Sequence, residues 1–230
     1  MNLAEKFSKI PLAGLILLGL TLVVFVVELI LAFLEKEKYR RIVKPFCMGL
    51  LCAALIVILP THPLVYIGTF LGLVGDVFVI LPKPKQAFII GTFSFFLGHI
   101  CYSIETIAFI IGNNLKPINI VVFVLTFLVV GIALYFLVFR KTEKTMPTKL
   151  GGPLYYSCLT TTLPIMITAT VIGSPYMFFA IIGSSFFLIS DILIYWWRIM
   201  PKIKRYDFFI MGTYLIAQFF IALGFIFTLV

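Results

Sequence analysis

Long apolar runs separated by short breaks are the dominant pattern along this chain. A membrane-spanning helix needs about 20 apolar residues, and most of the runs reach that length. Proline, glycine and charged residues divide the chain into eight runs, at 11–34, 43–59, 64–81, 87–111, 118–139, 153–172, 176–197 and 207–229. The pattern therefore predicts an all-α polytopic membrane bundle of eight transmembrane helices, in a single domain over residues 1–230.

The composition agrees with this prediction, and it argues against a soluble globular domain and against a nucleic-acid-binding protein. The hydrophobic residues make up 62% of the chain and the charged residues 12%, with a mean hydropathy of +1.17, far from a soluble globular domain. The net charge of +9 could suggest nucleic acid as a partner. The Lys and Arg residues lie in short loops between apolar runs, however, which is the distribution that encodes membrane topology, so we expect no nucleic-acid partner.

The distribution of positive charge also predicts an orientation. Fifteen of the 18 Lys and Arg residues fall in the first, third, fifth and seventh loops, and the opposite side holds only Lys6, Lys9 and Lys116. Because positive loops stay in the cytoplasm, both termini are predicted to be non-cytoplasmic. The first run is longer than a signal-peptide core and lacks an A-x-A cleavage site, so we expect a retained first span. The plasma or inner membrane and the endoplasmic reticulum both remain open as locations.

Four acidic residues lie inside the predicted spans, namely Glu28, Asp76, Glu105 and Asp191. An ionised carboxylate at the centre of a lipid-exposed helix costs at least ~2.5–3.5 kcal/mol, which makes each one a candidate functional group. At 1.5 Å per residue, Asp76 and Asp191 lie at about the same depth, roughly 8–9 Å from the cytoplasmic ends of their helices. We interpret Glu28 and Glu105 as structural or snorkelling residues nearer the outer leaflet.

Other polar residues are predicted to share a pocket with the two aspartates. Lys44 would open the second span at the cytoplasmic mouth, and Tyr214 and Gln218 would share one face of the last span. His99 and Tyr102, three residues apart on the fourth span, would close the pocket at its far side. These positions predict one polar pocket that opens to the cytoplasmic leaflet.

Each of these residues also has a structural interpretation. The aspartates could be tied to hydroxyl groups or to Lys44, and His99 could be an interhelical hydrogen-bonding residue. Packing or interhelical contact could equally explain Tyr102, Tyr214 and Gln218. The chain has no GxSxG, HExxH or GxxxxGK[ST] motif, which disfavours serine hydrolysis, zinc proteolysis and ATP hydrolysis. The chemistry that remains is general acid–base catalysis, or the translocation of protons or ions.

A succession of five short motifs resembles a known family. The motifs are Lys44-Pro45, Gly75-Asp76, Gly98-His99-x-x-Tyr102, Phe187-x-x-Ser190-Asp191 and Tyr214-x-x-Ala217-Gln218. In this order, on eight spans, they resemble the YhhN-type lysoplasmalogenase family from about residue 40 to the C-terminus. One departure is Gly98, where the family resemblance leads us to expect alanine. The resemblance implies hydrolysis of the vinyl-ether bond of lysoplasmalogens, which releases a fatty aldehyde and a glycerophospho head group.

The implied chemistry assigns roles to the candidate residues. Vinyl ethers are cleaved by protonation of the β-carbon, so the site needs one protonated carboxyl group and one ionised carboxylate, as in paired-carboxylate hydrolases. We hypothesise that Asp76 and Asp191 form this pair and that His99 orients one of them or the water. Lys44 would hold the substrate phosphate. The glycerol and the water would be positioned by Tyr102, Ser190, Tyr214 and Gln218.

We expect the site to need neither a metal nor another cofactor. A rival arrangement is a zinc site formed by Asp76, Asp191 and His99. A different class of function is a proton-coupled transporter or a lipid-binding membrane protein that uses the same buried carboxylates. The expected partners are a lysophospholipid substrate and the lipid bilayer. Oligomeric state does not follow from the sequence.

Overall fold

The computed structural model describes residues 2–80, 85–113, 115–136, 151–199 and 204–230, and these residues contain no strand. The described residues form nine helices, which we name in chain order as α1 (Leu3–Ser8), α2 (Leu12–Phe33), α3 (Glu37–Ile58), α4 (Pro63–Ile80), α5 (Lys85–Gly112), α6 (Pro117–Leu134), α7 (Gly151–Ile172), α8 (Met177–Ile199) and α9 (Tyr206–Leu229). The predicted all-α class is confirmed.

Eight of these helices are long, and they correspond in order to the eight predicted spans. Six contain segments that are apolar and long enough to cross a membrane, at Leu12–Phe33, Glu37–Ile58, Ile89–Gly112, Pro117–Leu134, Met177–Ile194 and Tyr206–Leu229. The other two, α4 and α7, contribute the shorter apolar stretches Pro63–Val79 and Thr161–Ile172. Helices suit this setting because all their backbone hydrogen bonds are made within the segment, where lipid offers no partner.

The second span begins earlier than predicted. Helix α3 starts at Glu37 rather than at residue 43, so the charged residues before Lys44 are helical instead of forming a loop. Lys44 therefore lies in the third turn of α3 and is buried, not at the mouth of the bundle, and Pro45 is inside the helix rather than in its first turn. The helix extends this far because Arg40 finds carboxylate partners on neighbouring helices.

Seven of the long helices form a closed ring in which each packs against the next. The order around the ring is α2, α3, α4, α5, α7, α8, α9 and back to α2. Helix α9 also packs against α3 and α4, which moves it toward the middle of the ring, and it is the most buried of the six candidate spans. Among the described helices α6 packs only against α7, on the outside of the ring. The last helix is thus the centre of the fold.

Glycines bring α4 and α5 unusually close together. A Cβ atom on Gly98 would lie 2.8 Å from the carbonyl oxygen of Gly68, and one on Gly91 would lie 3.0 Å from the carbonyl oxygen of Gly75. Both contacts are with backbone atoms, which cannot rotate away. We call these four residues the glycine seam. Small residues allow this close backbone approach, as they do in many membrane helix pairs.

A group of cations marks the end of the bundle at which α2 ends and α3 and α9 begin. It includes Lys36, Lys38, Arg40, Arg41, Lys204 and Arg205. We call this end the basic end, and it corresponds to the side that the loop charges predict to be cytoplasmic. Other cations of that prediction, Lys83, Arg140, Lys141, Lys144, Lys149 and Lys202, lie outside the described residues.

Arg40 joins three helices at the basic end. Its Nε lies 3.0 Å from Glu28 of α2, and its terminal nitrogen lies 3.0 Å from Glu37 of α3 and 3.2 Å from Asp207 of α9. The expectation that Glu28 lies toward the outer leaflet was therefore wrong. Helix α2 runs toward the basic end, and Glu28 is only five residues before its last residue. The other carboxylate that we assigned to structure, Glu105, lies 2.7 Å from His62 in the α3–α4 loop, at the opposite end of the bundle.

We predict that Gly98→Ala destabilises the protein by about 1–3 kcal/mol, because the new methyl group would force apart the backbones of α4 and α5. A matched control is Gly19→Ala, where a Cβ atom meets nothing within 4 Å. The control should keep or slightly raise stability, because alanine favours helix more than glycine does. Thermal unfolding of the detergent-purified variants measures both changes. Equal melting temperatures would contradict the close approach at the glycine seam.

Candidate functional site

Asp76 is buried in the fourth turn of α4 and has two polar partners. Only 2% of the residue is exposed. The ammonium group of Lys44 lies 3.1 Å from its Oδ1, and the hydroxyl of Tyr214 donates a hydrogen bond of 2.8 Å to its Oδ2. Both of its oxygens are thus contacted by donors, and both contacts favour the ionised form of the carboxyl group.

These three side chains come from α3, α4 and α9, and the packing of the helices explains why they meet. Helix α9 reaches across the ring to contact both α3 and α4. Lys44 follows Arg40 by one turn on the same face of α3, and it continues the row of charge from the basic end into the core. The ring of Tyr214 is fixed by edge contacts with Phe95, at 5.9 Å, and with Phe187, at 5.8 Å between centroids.

A narrow crevice adjoins this cluster. Its empty volume is about 160 Å³, and it is too narrow to admit a water-sized sphere. Gly72, which lies one turn before Asp76 on the same face of α4, connects the two regions, because a Cβ atom there would be 3.8 Å from the Tyr214 hydroxyl. The crevice is lined by Gly68, Gly72, Phe95, Gly98, His99, Tyr102, Phe187 and Gln218.

His99 is the most unusual residue of the crevice. It is 2% exposed, and neither of its ring nitrogens has a hydrogen-bond partner in the structure. Its ring instead meets Phe187 edge-on at 4.3 Å between centroids, and Tyr102 at 6.0 Å. A buried polar group without a partner costs roughly 1–3 kcal/mol, so a chain that retains one should use it for a ligand or a water.

Tyr102 and Gln218 also line the crevice. The Tyr102 hydroxyl is 2.9 Å from the Thr69 hydroxyl, and it points to the Gln218 carbonyl oxygen at 3.5 Å, which is long for a hydrogen bond. Thr69 in turn donates to the carbonyl of Val65 within α4. These contacts hold Tyr102 in place and connect α4, α5 and α9 through polar atoms.

Asp191 and Ser190 lie on α8, toward the basic end of that helix. Asp191 is 8% exposed, and it follows Phe187 by one turn, on the face that lines the crevice. The hydroxyl of Ser190 donates a hydrogen bond of 3.2 Å to the backbone carbonyl of Ile210, and this bond joins α8 to α9. This contact makes Ser190 a structural link between the two helices.

The structure gathers most of the residues singled out in the sequence, in two adjoining groups. Lys44, Asp76 and Tyr214 are in direct contact. The crevice contains His99, Tyr102 and Gln218. The lining residues that we did not assign to the site are Gly68, Gly72, Phe95, Gly98 and Phe187. The sequence carries a signal for several of them. Gly98 and Phe187 belong to the five motifs, and Gly68 and Gly72 stand four residues apart, which is the spacing of small residues at which membrane helices pack closely.

Lys44 differs most from its expected position. Its ammonium group is paired with Asp76 inside the bundle, rather than exposed at the mouth to hold a substrate phosphate. The zinc arrangement also lacks support in geometry. Within the part of the chain that the structure describes, no three His, Cys, Asp or Glu residues come together as metal ligands, so Asp76, Asp191 and His99 do not form such a set.

The profile of the YhhN family matches residues 39–225. The chain belongs to the YhhN family. No curated protein and no solved structure matches the chain. The YhhN match contains Lys44, Asp76, His99, Asp191 and Tyr214, and with them the whole crevice. It begins just after α2, so the buried Glu28 lies outside it, although Arg40, the partner of Glu28, lies inside.

We predict strong coupling between Lys44 and Asp76 in a double-mutant cycle. Lys44→Met leaves a buried carboxylate without its cation and should cost about 3–5 kcal/mol of stability. Lys44→Met combined with Asp76→Asn removes both charges and should cost at least ~2 kcal/mol less than the sum of the two single changes.

The cycle is measured by denaturant unfolding in detergent, with Lys38→Met as the matched control. Lys38 is an exposed cation of the same helix, so its removal should change the free energy of unfolding by no more than about 0.5 kcal/mol. Additive effects of the Lys44 and Asp76 substitutions would contradict a direct ion pair.

Proposed function

We propose that this YhhN-family protein is a membrane-embedded hydrolase that cleaves the vinyl-ether bond of lysoplasmalogens. The products are a fatty aldehyde and a glycerophospho head group. The observation that carries the proposal is the buried Asp76, contacted by Lys44 and Tyr214, beside a crevice in which His99 has no polar partner. Family membership supports the same assignment.

The reaction requires a proton donor for the β-carbon of the vinyl ether and a proton acceptor for the water that attacks the α-carbon. An acid protonates the β-carbon of the vinyl ether, and the electron pair of the double bond forms the new C–H bond. The resulting oxocarbenium ion is captured at its α-carbon by water, which gives up a proton to a base. The hemiacetal then breaks its bond to the glycerol oxygen, which takes a proton as the aldehyde forms. Two carboxyl groups in opposite protonation states are suited to this sequence.

We assign Asp76 as the base and Asp191 as the acid. Asp76 faces a cation and a hydroxyl donor, and both contacts favour its ionised form, which also stabilises an oxocarbenium ion. Lys44 then acts on Asp76 rather than on the substrate phosphate. Asp191 lies about 6 Å further along α8 than Phe187, which lines the crevice, so an alkenyl group in the crevice would be near its carboxyl group.

His99 would position the water in this scheme. Its two ring nitrogens offer one donor and one acceptor, which is the pair that a single water needs. The crevice is smaller than the sites of about 300–1,000 Å³ that bind drug-sized ligands, so the substrate requires it to widen. Phe95 and Phe187 flank it, and rotation of these rings would open it without separating the glycine seam.

We also propose an orientation for the protein, which rests on the distribution of positive charge. With the basic end in the cytoplasm, Asp76 and Asp191 lie nearer the cytoplasmic leaflet, and both termini lie on the opposite side. The protein would then take its lysophospholipid substrate from that leaflet, in the plasma or inner membrane or in the endoplasmic reticulum.

The first test is aldehyde release from a synthetic 1-alkenyl lysophospholipid by the detergent-purified protein. Asp76→Asn and Asp191→Asn should each lower turnover by at least about 100-fold, because each removes one proton-transfer group. Turnover by the wild type should be unchanged by a chelator.

Glu105→Gln is the matched control for these two variants. It neutralises another carboxylate within a helix, but one that pairs with His62 at the opposite end of the bundle. Its turnover should remain near that of the wild type. Near-normal turnover by either folded aspartate variant would contradict the acid pair. A folded wild type without turnover would instead favour transport or lipid binding.

A second prediction separates catalysis from packing at His99. His99→Phe keeps an aromatic ring, one heavy atom larger, and removes two buried nitrogens without partners. The relief of the unpaired nitrogens offsets the tighter packing, so the free energy of unfolding should stay within about 1 kcal/mol of the wild type. Turnover should nevertheless fall by about 100-fold or more, because the attacking water loses its ligand. Thermal unfolding and aldehyde release on the same preparation measure both. A stable variant with full turnover would show that His99 only packs.

A further inference from the structure

A second cavity lies at the basic end, apart from the crevice. It is open to the outside and has a volume of about 450 Å³. The C-terminal turn of α2 and the first turn of α9 form its walls, with the preceding turn at residues 204–205. Its lining consists of two cations and three aromatic rings, namely Lys204, Arg205, Phe33, Phe208 and Phe209. The proposed reaction uses none of these residues.

The two cations of the cavity are not neutralised by nearby acids. No described acidic residue forms an ion pair with the side chain of Lys204 or Arg205. Asp207 binds Arg40 at 3.2 Å, and Glu35 accepts a 3.2 Å hydrogen bond from the backbone N–H of Arg205 rather than from its guanidinium group. The cavity therefore has two positive charges available to an anion.

Aromatic rings form the remainder of the lining. The Arg205 guanidinium lies 3.9 Å from the centroid of the Phe33 ring, which fixes the cation over an apolar surface. Phe33 meets Phe208 edge-on at 5.6 Å between centroids. Phe33 and Phe209 still expose 40% and 53% of their surfaces. A soluble anion gains nothing from such rings, whereas a lipid presents a charged head group and an apolar body together.

We propose that this cavity binds an anionic phospholipid of the bilayer leaflet at the basic end. Its phosphate would lie on Lys204 and Arg205, and its glycerol and first methylenes would lie against Phe33 and Phe209. The cavity lies where two membrane helices meet the interface, which is where basic pockets take up phosphorylated head groups.

The site would connect the leaflet to the core of the protein. A lipid bound there bridges α2 and α9, the two helices that Arg40 also joins through Glu28 and Asp207. Tyr214, which contacts Asp76, follows Arg205 by nine residues on the same chain segment, about 13 Å along α9. Occupancy should therefore stabilise the helix that carries Tyr214.

Native mass spectrometry of the detergent-purified full chain tests the proposal. The probes are phosphatidylglycerol, and phosphatidylcholine with the same acyl chains. The wild type should retain one phosphatidylglycerol more tightly than phosphatidylcholine. Lys204→Gln with Arg205→Gln should weaken that binding roughly 30-fold, and Lys204→Gln alone roughly 5-fold, from the usual attraction between a surface cation and an anionic lipid. The single variant removes no hydrogen bond or ion pair between residues that the structure describes.

The matched control is Lys38→Gln with Arg41→Gln, which removes two exposed cations from the same end of the bundle, outside the cavity. This control should bind phosphatidylglycerol as the wild type does. If the control variant loses as much phosphatidylglycerol binding as the cavity variants do, the attraction is due to general surface charge, and the proposed site is overturned. Unchanged binding in both cavity variants would overturn it as well. Displacement of the lipid by millimolar inorganic phosphate would overturn the lipid assignment in favour of a soluble anion.

Discussion

The structure depends above all on how it accommodates the charge of Asp76 within a membrane bundle. A carboxylate at this depth is stable only if its partners are held in place around it. Lys44 and Tyr214 provide the contacts, at 3.1 and 2.8 Å, from two other helices. Helix α9 must therefore cross toward the middle of the ring, and α3 must carry a lysine in its third turn. The requirement of one carboxylate thus fixes the relation of three helices.

The glycine seam and the crevice are two results of the same close packing. With α4 and α5 in backbone contact, His99 and Tyr102 of α5 reach the space in front of α4. Phe95 and Phe187 fill the rest and leave both nitrogens of His99 without a partner. The His99 ring is therefore held by contacts with aromatic rings and not by hydrogen bonds. An unpaired group of this kind costs free energy in the resting protein and is suited to bind a polar ligand.

Charge is distributed unevenly along the axis of the bundle. Arg40 joins α2, α3 and α9 at the basic end, and Lys44 continues that row one turn deeper to Asp76. The opposite end holds the pair of His62 and Glu105 at the α3–α4 loop. The polar cluster is thereby connected to one membrane surface. Such one-sidedness fits a site that takes a lipid from one leaflet, and it offers less to a path across the bilayer.

The sequence by itself determined the class of fold, and it singled out most of the polar residues that the structure brings together around Asp76 and the crevice. Apolar runs of membrane-spanning length predict helices, because lipid leaves the backbone no other stable choice, and the cost of burying a carboxylate singles out Asp76 and Asp191. Helix starts were less predictable. In the sequence, the charged residues after Glu37 resemble a loop. In the structure they are helical, and Arg40 has carboxylate partners on two other helices, Glu28 and Asp207.

Only the tertiary structure decided which polar groups pair and which stay free. Depth along a helix can be counted from the sequence, but the direction around the bundle depends on the order of packing, α5 against α7 and α9 against both α3 and α4. That order turns Lys44 inward to Asp76 and leaves His99 facing aromatic rings. Pairing between distant helices is a property of the whole assembly, and no local pattern along the chain encodes it.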